Sequence, residues 1–161
     1  MKQLLITTHL YTFAVICVIA TTISSCTFKK KTDMETPTGT KENELTMLVG
    51  TYTSGDSKGI YSFRFNEETG TATALSETEV ENPSYLAVSA DGKFIYTVSE
   101  FNNEQAAANA FAFNQEKGTL KLLNSQKTGG EDPCYIITNG NNVITANYSG
   151  GSISVFPIAK S

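Results

Sequence analysis

Histidine and arginine are almost absent from this sequence. The single histidine, His9, lies in an apolar N-terminal segment, and Arg64 is the only arginine. Hydrolysis of a phosphorylated ester needs a base, donors for the oxyanion and cationic groups for the phosphate, preferably arginine. We expect Arg64 to lie on a strand and to face solvent. By itself, the part of the chain after residue 26 therefore offers a poor acyl-transfer or phosphate-binding site.

Cysteine is scarce as well, with only Cys17, Cys26 and Cys134. The first lies in a segment predicted to be removed, and the second is predicted to carry lipid. Cys134 then remains alone, so no disulfide can form within the folded part. Because no histidine is available to activate its thiol, we expect Cys134 to be a small buried apolar residue.

Basic residues are outnumbered by acidic ones. Beyond residue 26 the chain carries 11 basic and 16 acidic residues, a net charge of −5. This balance argues against nucleic acid as a partner, since that would need a basic stripe. No group of residues has the spacing of metal ligands, so no metal site or cofactor is predicted. Carboxylates and carbonyls at a channel mouth would suit Ca²⁺ or Mg²⁺, so binding of a divalent cation stays an open alternative.

The N-terminus has the order of a secretory signal. Met1-Lys2-Gln3 is a short cationic start, Leu4 to Ile23 is almost wholly apolar or Thr, and Ile23-Ser24-Ser25-Cys26 resembles a lipobox. We predict a signal peptide over residues 1–26 with lipidation of Cys26. The expected location is the cell envelope, lipid-anchored on the periplasmic or outer-membrane side. An uncleaved membrane helix is the alternative, since twenty apolar residues can span a bilayer.

Residues 27–44 are polar, Thr-rich and nearly free of apolar side chains. Such a segment cannot bury enough surface to offset its ordering entropy, so it is predicted to be a flexible tether. Residues 45–161 are predicted to form the folded part.

The folded part repeats itself. Pro83-Ser84-Tyr85-Leu86 returns as Pro133-Cys134-Tyr135-Ile136, and Asn66-Glu67-Glu68-Thr69-Gly70 is matched by Asn114-Gln115-Glu116-Lys117-Gly118. The offsets between such matches are 45–50 residues. A period of this length with several short strands per unit is typical of β-propeller blades. The prediction is therefore an all-β fold.

Each repeat unit is predicted to hold four strands. The first unit begins with residues 47–53 and lacks its innermost strand, and the third unit, residues 134–158, supplies three strands. Residues 105–109 are too short for a helix and are assigned to a connection. The middle unit is complete, with predicted strands at residues 85–89, 94–99, 110–113 and 120–125 and a two-residue hairpin turn at Asp91-Gly92.

The count is about two and a half blades, whereas a closed ring needs four to eight. Terminal repeats normally carry polar caps, and Phe156-Pro157-Ile158 is not one. We therefore expect a truncated chain, a partial β-propeller that would need a continuation or a complementing chain to close.

Several motifs together resemble the seven-bladed lactonase propellers, the family of the propeller-type 6-phosphogluconolactonases and carboxymuconate lactonising enzymes. They stand in the order and spacing of that family and extend from Leu45 to Ile158. The motifs are Val49-Gly50-Thr51-Tyr52-Thr53, Gly59-Ile60-Tyr61, Asn82-Pro83-Ser84-Tyr85-Leu86, Asp91-Gly92-Lys93 and Ala146-Asn147-Tyr148-Ser149-Gly150-Gly151-Ser152.

The resemblance implies a seven-bladed ring and hydrolysis of a sugar-acid lactone, typically 6-phosphogluconolactone, by a carboxylic ester hydrolase. Many members read Pro-Cys-His where this sequence reads Pro133-Cys134-Tyr135. The family's His-rich loop and most of its site arginines come in blades after the third. The truncated chain is therefore not expected to be a self-sufficient enzyme.

Glu100 is the candidate catalytic acid or base. It follows the predicted strand 94–99, where a loop faces the central channel, and the family often has a glutamate there. A solvated loop carboxylate is the alternative.

Asn147, Tyr148 and Tyr135 are the candidate substrate-binding residues. Asn147 and Tyr148 end the equivalent strand one blade later, where they could hydrogen-bond a sugar. The alternatives are a tight turn at residues 148–151 and inter-blade packing of Tyr85 and Tyr135.

Two other functions remain open. A non-catalytic envelope propeller could bind a glycan or a protein, since propellers serve as rigid platforms. The chain could also be an inactive gene fragment. An export signal fits poorly with a cytosolic phosphorylated substrate and better with lactone chemistry in general.

Overall fold

The computed structural model describes residues 43–159, and all ten elements in that range are β-strands. The predicted signal peptide of residues 1–26, its Cys26, and the tether up to residue 42 lie outside the described residues. Among the described residues, no helix has the length and apolar character needed to cross a membrane.

The strands form three antiparallel sheets, which we call blades 1, 2 and 3 in chain order. Their strand orders are β1-β2-β3, β4-β5-β6-β7 and β10-β9-β8, which confirms the all-β prediction. The strands are β1 (Glu44–Gly50), β2 (Gly59–Asn66), β3 (Ala72–Glu79), β4 (Leu86–Val88), β5 (Phe94–Ser99), β6 (Ala107–Asn114), β7 (Thr119–Lys127), β8 (Pro133–Thr138), β9 (Asn142–Asn147) and β10 (Ser152–Pro157).

Some predicted boundaries were wrong. β1 begins at Glu44, one residue inside the predicted tether, and ends at Gly50 rather than at residue 53. β6 begins at Ala107, so residues 107–109 belong to a strand and not to a connection. Alanine has a low β-propensity, but pairing with β5 on one side and β7 on the other overrides that preference. The predicted turn at Asp91-Gly92 is confirmed, with Gly92 at a φ of +69°.

Blade 2 is covered on both faces. Successive residues of β5 point to opposite sides of the sheet, so Ile95 packs with Ile60 of blade 1 and Val98 packs with Ile136 of blade 3. The last five residues of β5 are consequently all buried. The core of the described structure thus lies between the blades, as in a propeller, and not inside any one of them.

Polar groups also join blades 1 and 2. The turn between β6 and β7 rests on blade 1, where its Gln115 carbonyl accepts a hydrogen bond from Thr46 (2.8 Å). Arg64 donates to the Glu116 carbonyl of the same turn and to the Thr46 hydroxyl (3.0 Å). Arg64 lies on a strand, as predicted, and as a whole residue it is partly exposed. Its guanidinium does not extend freely into solvent, because Thr46 of blade 1 and Glu116 of blade 2 accept its hydrogen bonds.

Gly50 of blade 1 lies close to Pro83 and Leu86 at the start of blade 2, and its substitution tests this junction. A Cβ on Gly50 would lie 1.9 Å from the Pro83 carbonyl oxygen and 2.7 Å from Leu86 Cδ1. Gly50→Ala should therefore lower the free energy of unfolding by about 1–3 kcal/mol or more, the usual range for overpacking. The measurement is urea unfolding followed by circular dichroism.

Gly55→Ala is the matched control, because nothing lies within 4 Å of the Cβ that it would add. Its unfolding midpoint should stay at the wild-type value. Equal midpoints for the two variants would contradict the close approach of the blades at Gly50.

Candidate functional site

Glu100 lies at a junction of three loops. It follows β5, Tyr52 lies in the connection after β1, and Ser84 lies just before β4. The Glu100 Oε2 atom accepts hydrogen bonds from the Tyr52 hydroxyl (2.9 Å) and from the Ser84 hydroxyl. Both donors use the same oxygen, and among the described residues no hydrogen bond to Oε1 is found. The half-buried carboxylate is therefore oriented by two blades.

The Glu100 carboxylate changes the pKa of the Tyr52 phenol. Its pKa is raised above the ordinary value, first because the neutral phenol donates a hydrogen bond to Glu100, then through partial burial and through the Glu100 charge. The Ser84 hydroxyl acts in the opposite direction. Tyr52 thus keeps its proton in alkaline solution and remains a donor to the carboxylate.

The repeat places Glu100 and Tyr148 at equivalent points. Glu100 N–H donates to the Asn82 carbonyl (3.0 Å), and one blade later Tyr148 N–H donates to the Asp132 carbonyl (2.8 Å). Asn82 and Asp132 each precede a proline and have positive φ values of 46° and 49°. Equivalent backbone hydrogen bonds therefore hold both candidate residues at the ends of equivalent strands.

Tyr148 is the first residue of a turn that crosses to β10. Gly151 N–H donates to its carbonyl (3.2 Å), which agrees with the tight turn considered from the sequence. Its ring is 81 % exposed, so it is accessible to a ligand.

Asn147 differs from its neighbour, since only 2 % of it is exposed. Its amide accepts from the Thr145 hydroxyl (3.0 Å) and donates to the hydroxyls of Ser152 (3.1 Å) and Ser154 (2.9 Å). The structure therefore places its side chain below the surface, where it ties β9 to β10 underneath Tyr148.

Tyr135 meets Tyr85 across the junction of blades 2 and 3. The ring centroids are 4.7 Å apart and the planes are inclined by 51°. The rings pack between the blades, yet the residues remain 41 % and 40 % exposed. The pair thus combines the inter-blade packing considered from the sequence with an open aromatic surface beside the site.

Cys134 corrects a prediction, because it is free and exposed rather than buried. It lies on β8, which is the edge strand of its sheet, and the pairing with β9 shifts register between Pro133 and Tyr135. Sequence reasoning treated the thiol as apolar filling, but at this irregular start of β8 Cys134 is exposed, whereas Ile136 on the same strand is buried against blade 2.

In residues 43–159, no three His, Cys, Asp or Glu side chains converge closely enough to hold a metal ion.

Sequence reasoning missed Tyr52 and Ser84, the two hydrogen-bond donors to Glu100. Ser84 directly precedes Tyr85 in the Pro-Ser-Tyr repeat, and Tyr52 follows β1, the strand equivalent to β5. Aligning the strand ends of the repeat would have brought both residues near Glu100.

Comparison with known proteins agrees with this architecture. Residues 46–161 match the family described as Lactonase, 7-bladed beta-propeller. A 6-phosphogluconolactonase of Bacillus subtilis is 36 % identical over 118 residues, which are 70 % of this chain and 33 % of the relative.

Two solved structures show the same fold. A crystal structure of a proposed 6-phosphogluconolactonase from Bacteroides fragilis is 70 % identical, with a TM-score of 0.74, over 75 % of this chain and 34 % of its own. The periplasmic gluconolactonase of Pseudomonas aeruginosa is 30 % identical, with a TM-score of 0.65, over 72 % of this chain and 35 % of its own. The chain thus spans about a third of the length of its relatives. It belongs to the lactonase family of seven-bladed β-propellers.

Proposed function

We propose that the protein takes part in hydrolysis of a sugar-acid lactone, as a carboxylic ester hydrolase within a closed family propeller, with Glu100 as the acid/base. The observation that carries this proposal is the Glu100 carboxylate, which Tyr52 and Ser84 orient through its Oε2 atom. Membership of the lactonase family supports it, as do relatives named 6-phosphogluconolactonase and gluconolactonase.

Hydrolysis requires a water molecule to attack the lactone carbonyl carbon. In the proposed reaction, Glu100 Oε1 takes a proton from that water as the new C–O bond forms. The ring C–O bond then breaks, and the leaving alkoxide receives the proton that Glu100 took from the water, which gives the open hydroxy acid and restores the Glu100 carboxylate. Tyr52 and Ser84 hold the carboxylate in one orientation, which removes part of the entropic cost of the attack.

Sugar binding is proposed to use exposed aromatic surface. The rings of Tyr85 and Tyr135 offer a partly exposed apolar area, and the exposed Tyr148 lies in the turn after β9. Asn147 would act indirectly, because its amide holds the strands beneath Tyr148. Groups that recognise a phosphate belong, in this proposal, to the two thirds of a family propeller that the chain does not span.

A binding function without hydrolysis is the second candidate, and the Tyr85–Tyr135 pair favours it. A tilted aromatic pair with open faces suits a sugar ring whether or not a reaction follows. The two functions separate at Glu100, because only hydrolysis needs a group that accepts a proton.

Glu100→Gln tests the catalytic role. The amide cannot take a proton from water, so kcat should fall by about 10²–10⁴-fold while KM changes little. The assay follows acid release from glucono-1,5-lactone and from 6-phosphogluconolactone in a pH-stat, corrected for spontaneous hydrolysis. Faster turnover of the first substrate would support an unphosphorylated lactone as the natural one.

Glu104→Gln is the matched control, because Glu104 is an exposed carboxylate in the same connection between β5 and β6. It should retain wild-type turnover. An active Glu100→Gln variant would refute the assigned role. Sugar binding by a wild-type protein with no measurable hydrolysis would favour the binding module.

We also propose that Cys26 carries a lipid anchor and that the protein works in the cell envelope. The order of charge, apolar run and small residues before Cys26 supports this location. The Pseudomonas relative is named a periplasmic gluconolactonase.

Cys26→Ser should abolish incorporation of a labelled fatty acid and move the protein out of the membrane fraction, because the thiol is the site of acylation. The measurement is metabolic labelling followed by membrane fractionation. Cys17→Ser is the control and should label normally, since Cys17 lies within the apolar run. Undiminished labelling of Cys26→Ser would exclude this anchor.

A further inference from the structure

Asn82 has an unusual backbone for its position. Its φ of +46° lies in the left-handed region, although it directly precedes Pro83. A following proline normally drives a residue towards extended conformations, and non-glycine residues seldom adopt positive φ. Asparagine and aspartate tolerate this region better than other side chains, which suits Asn82 and its equivalent Asp132.

The Asn82 side chain reaches both halves of the candidate site. Its Oδ1 atom accepts from Thr53 N–H (2.9 Å) and from the Thr53 hydroxyl (3.1 Å), next to Tyr52. Its Nδ2 atom donates to the Glu100 carbonyl (3.2 Å). Its own carbonyl accepts from Glu100 N–H (3.0 Å). One residue therefore connects the neighbour of Tyr52 with the backbone of Glu100.

The connection between β1 and β2 has few other links to the second blade. Thr51 donates to the Gly59 carbonyl (2.8 Å) and Lys58 N–H donates to Tyr61 (2.9 Å), so both bonds stay within blade 1. Among the described residues, the hydrogen bonds that join this connection to Asn82 and Glu100 are those of Tyr52 and Thr53. The Val80 N–H, just after β3, also donates to the Lys58 carbonyl (3.1 Å), but this bond stays on the side of blade 1. Without the Thr53 bonds, the bond between Tyr52 and Glu100 would be the remaining hydrogen bond from this connection to blade 2 in the described part of the chain.

Comparison with Asp132 shows which hydrogen bonds are particular to Asn82. Its carbonyl accepts from Tyr148 N–H (2.8 Å), as Asn82 does from Glu100. Its carboxylate accepts from Ser149, within the turn that follows Tyr148. Neither of these bonds reaches Tyr52 or Glu100. The backbone role is thus shared by both blades, whereas the bridge through the side chain to Thr53 belongs to Asn82.

We infer that Asn82 is a positioning residue that holds Tyr52 against Glu100 across the junction of blades 1 and 2. It touches no substrate atom in this scheme and acts through the two residues that it aligns. Its effect on turnover rests on the proposed lactone hydrolysis, but its effect on the Tyr52–Glu100 hydrogen bond does not.

Asn82→Gly is the test variant, because glycine adopts a positive φ freely and removes only the amide. The readout is the pKa of the Tyr52 phenol, followed by NMR of ring-labelled tyrosine and assigned with Tyr52→Phe. The phenol pKa is raised chiefly by its hydrogen bond to Glu100. It should therefore fall towards its ordinary value in Asn82→Gly and fall at least as far in Glu100→Gln.

Asp132→Gly is the matched control, since it makes the same change at the equivalent position one blade later. It should leave the Tyr52 phenol pKa unchanged. Where lactone hydrolysis is measured, Asn82→Gly should lower kcat by roughly ten- to a hundredfold with little change in KM, the usual consequence of a small misplacement.

An unchanged phenol pKa in Asn82→Gly, or an equal fall in Asp132→Gly, would overturn the inference. A fall in Asn82→Gly that is absent from Asp132→Gly supports it, even in a protein that proves inactive on lactones. In that case the positioning role stands and the proposed hydrolysis fails.

Discussion

A sheet with two apolar faces needs a neighbour on each side, and this requirement governs the described structure. β5 places Ile95 towards blade 1 and Val98 towards blade 3, and neither residue is exposed. Burial of apolar surface contributes roughly 25 cal/mol per Å², so separating the blades would expose the whole core at once. In the described residues, each apolar cluster combines side chains of two blades.

The same packing builds the candidate site. Because equivalent strands of adjacent blades lie side by side, the loops at their ends meet, and Tyr52 of blade 1 reaches Glu100 of blade 2. The close approach of Gly50 to the Pro83 carbonyl keeps these loops in register. A carboxylate oriented from two blades is therefore sensitive to changes at the blade junction as well as to changes at Glu100 itself.

Much of the fold could be predicted from the repeat. The Asp91-Gly92 turn is a local signal for the start of β5, and the strand predicted at residues 94–99 has the observed bounds. The start of β6 was missed, since Ala106-Ala107-Ala108 has no local β signal and becomes a strand only by pairing with its neighbours. Glu100 was chosen as the candidate base from its place after a strand, whereas its donors Tyr52 and Ser84 were not.

By itself, the sequence determined the all-β class, the blade period and the strand ends at which the candidate site residues lie. These features follow from side-chain alternation and turn chemistry, which act over a few residues. Only the tertiary structure decided that Tyr52, 48 residues before Glu100, and Ser84 both donate to the Oε2 atom of Glu100. It also decided that Asn147 is buried and that Cys134 is exposed. The physical reason is that hydrogen-bond partners and burial depend on which sheet covers which, and residues distant along the chain set that arrangement.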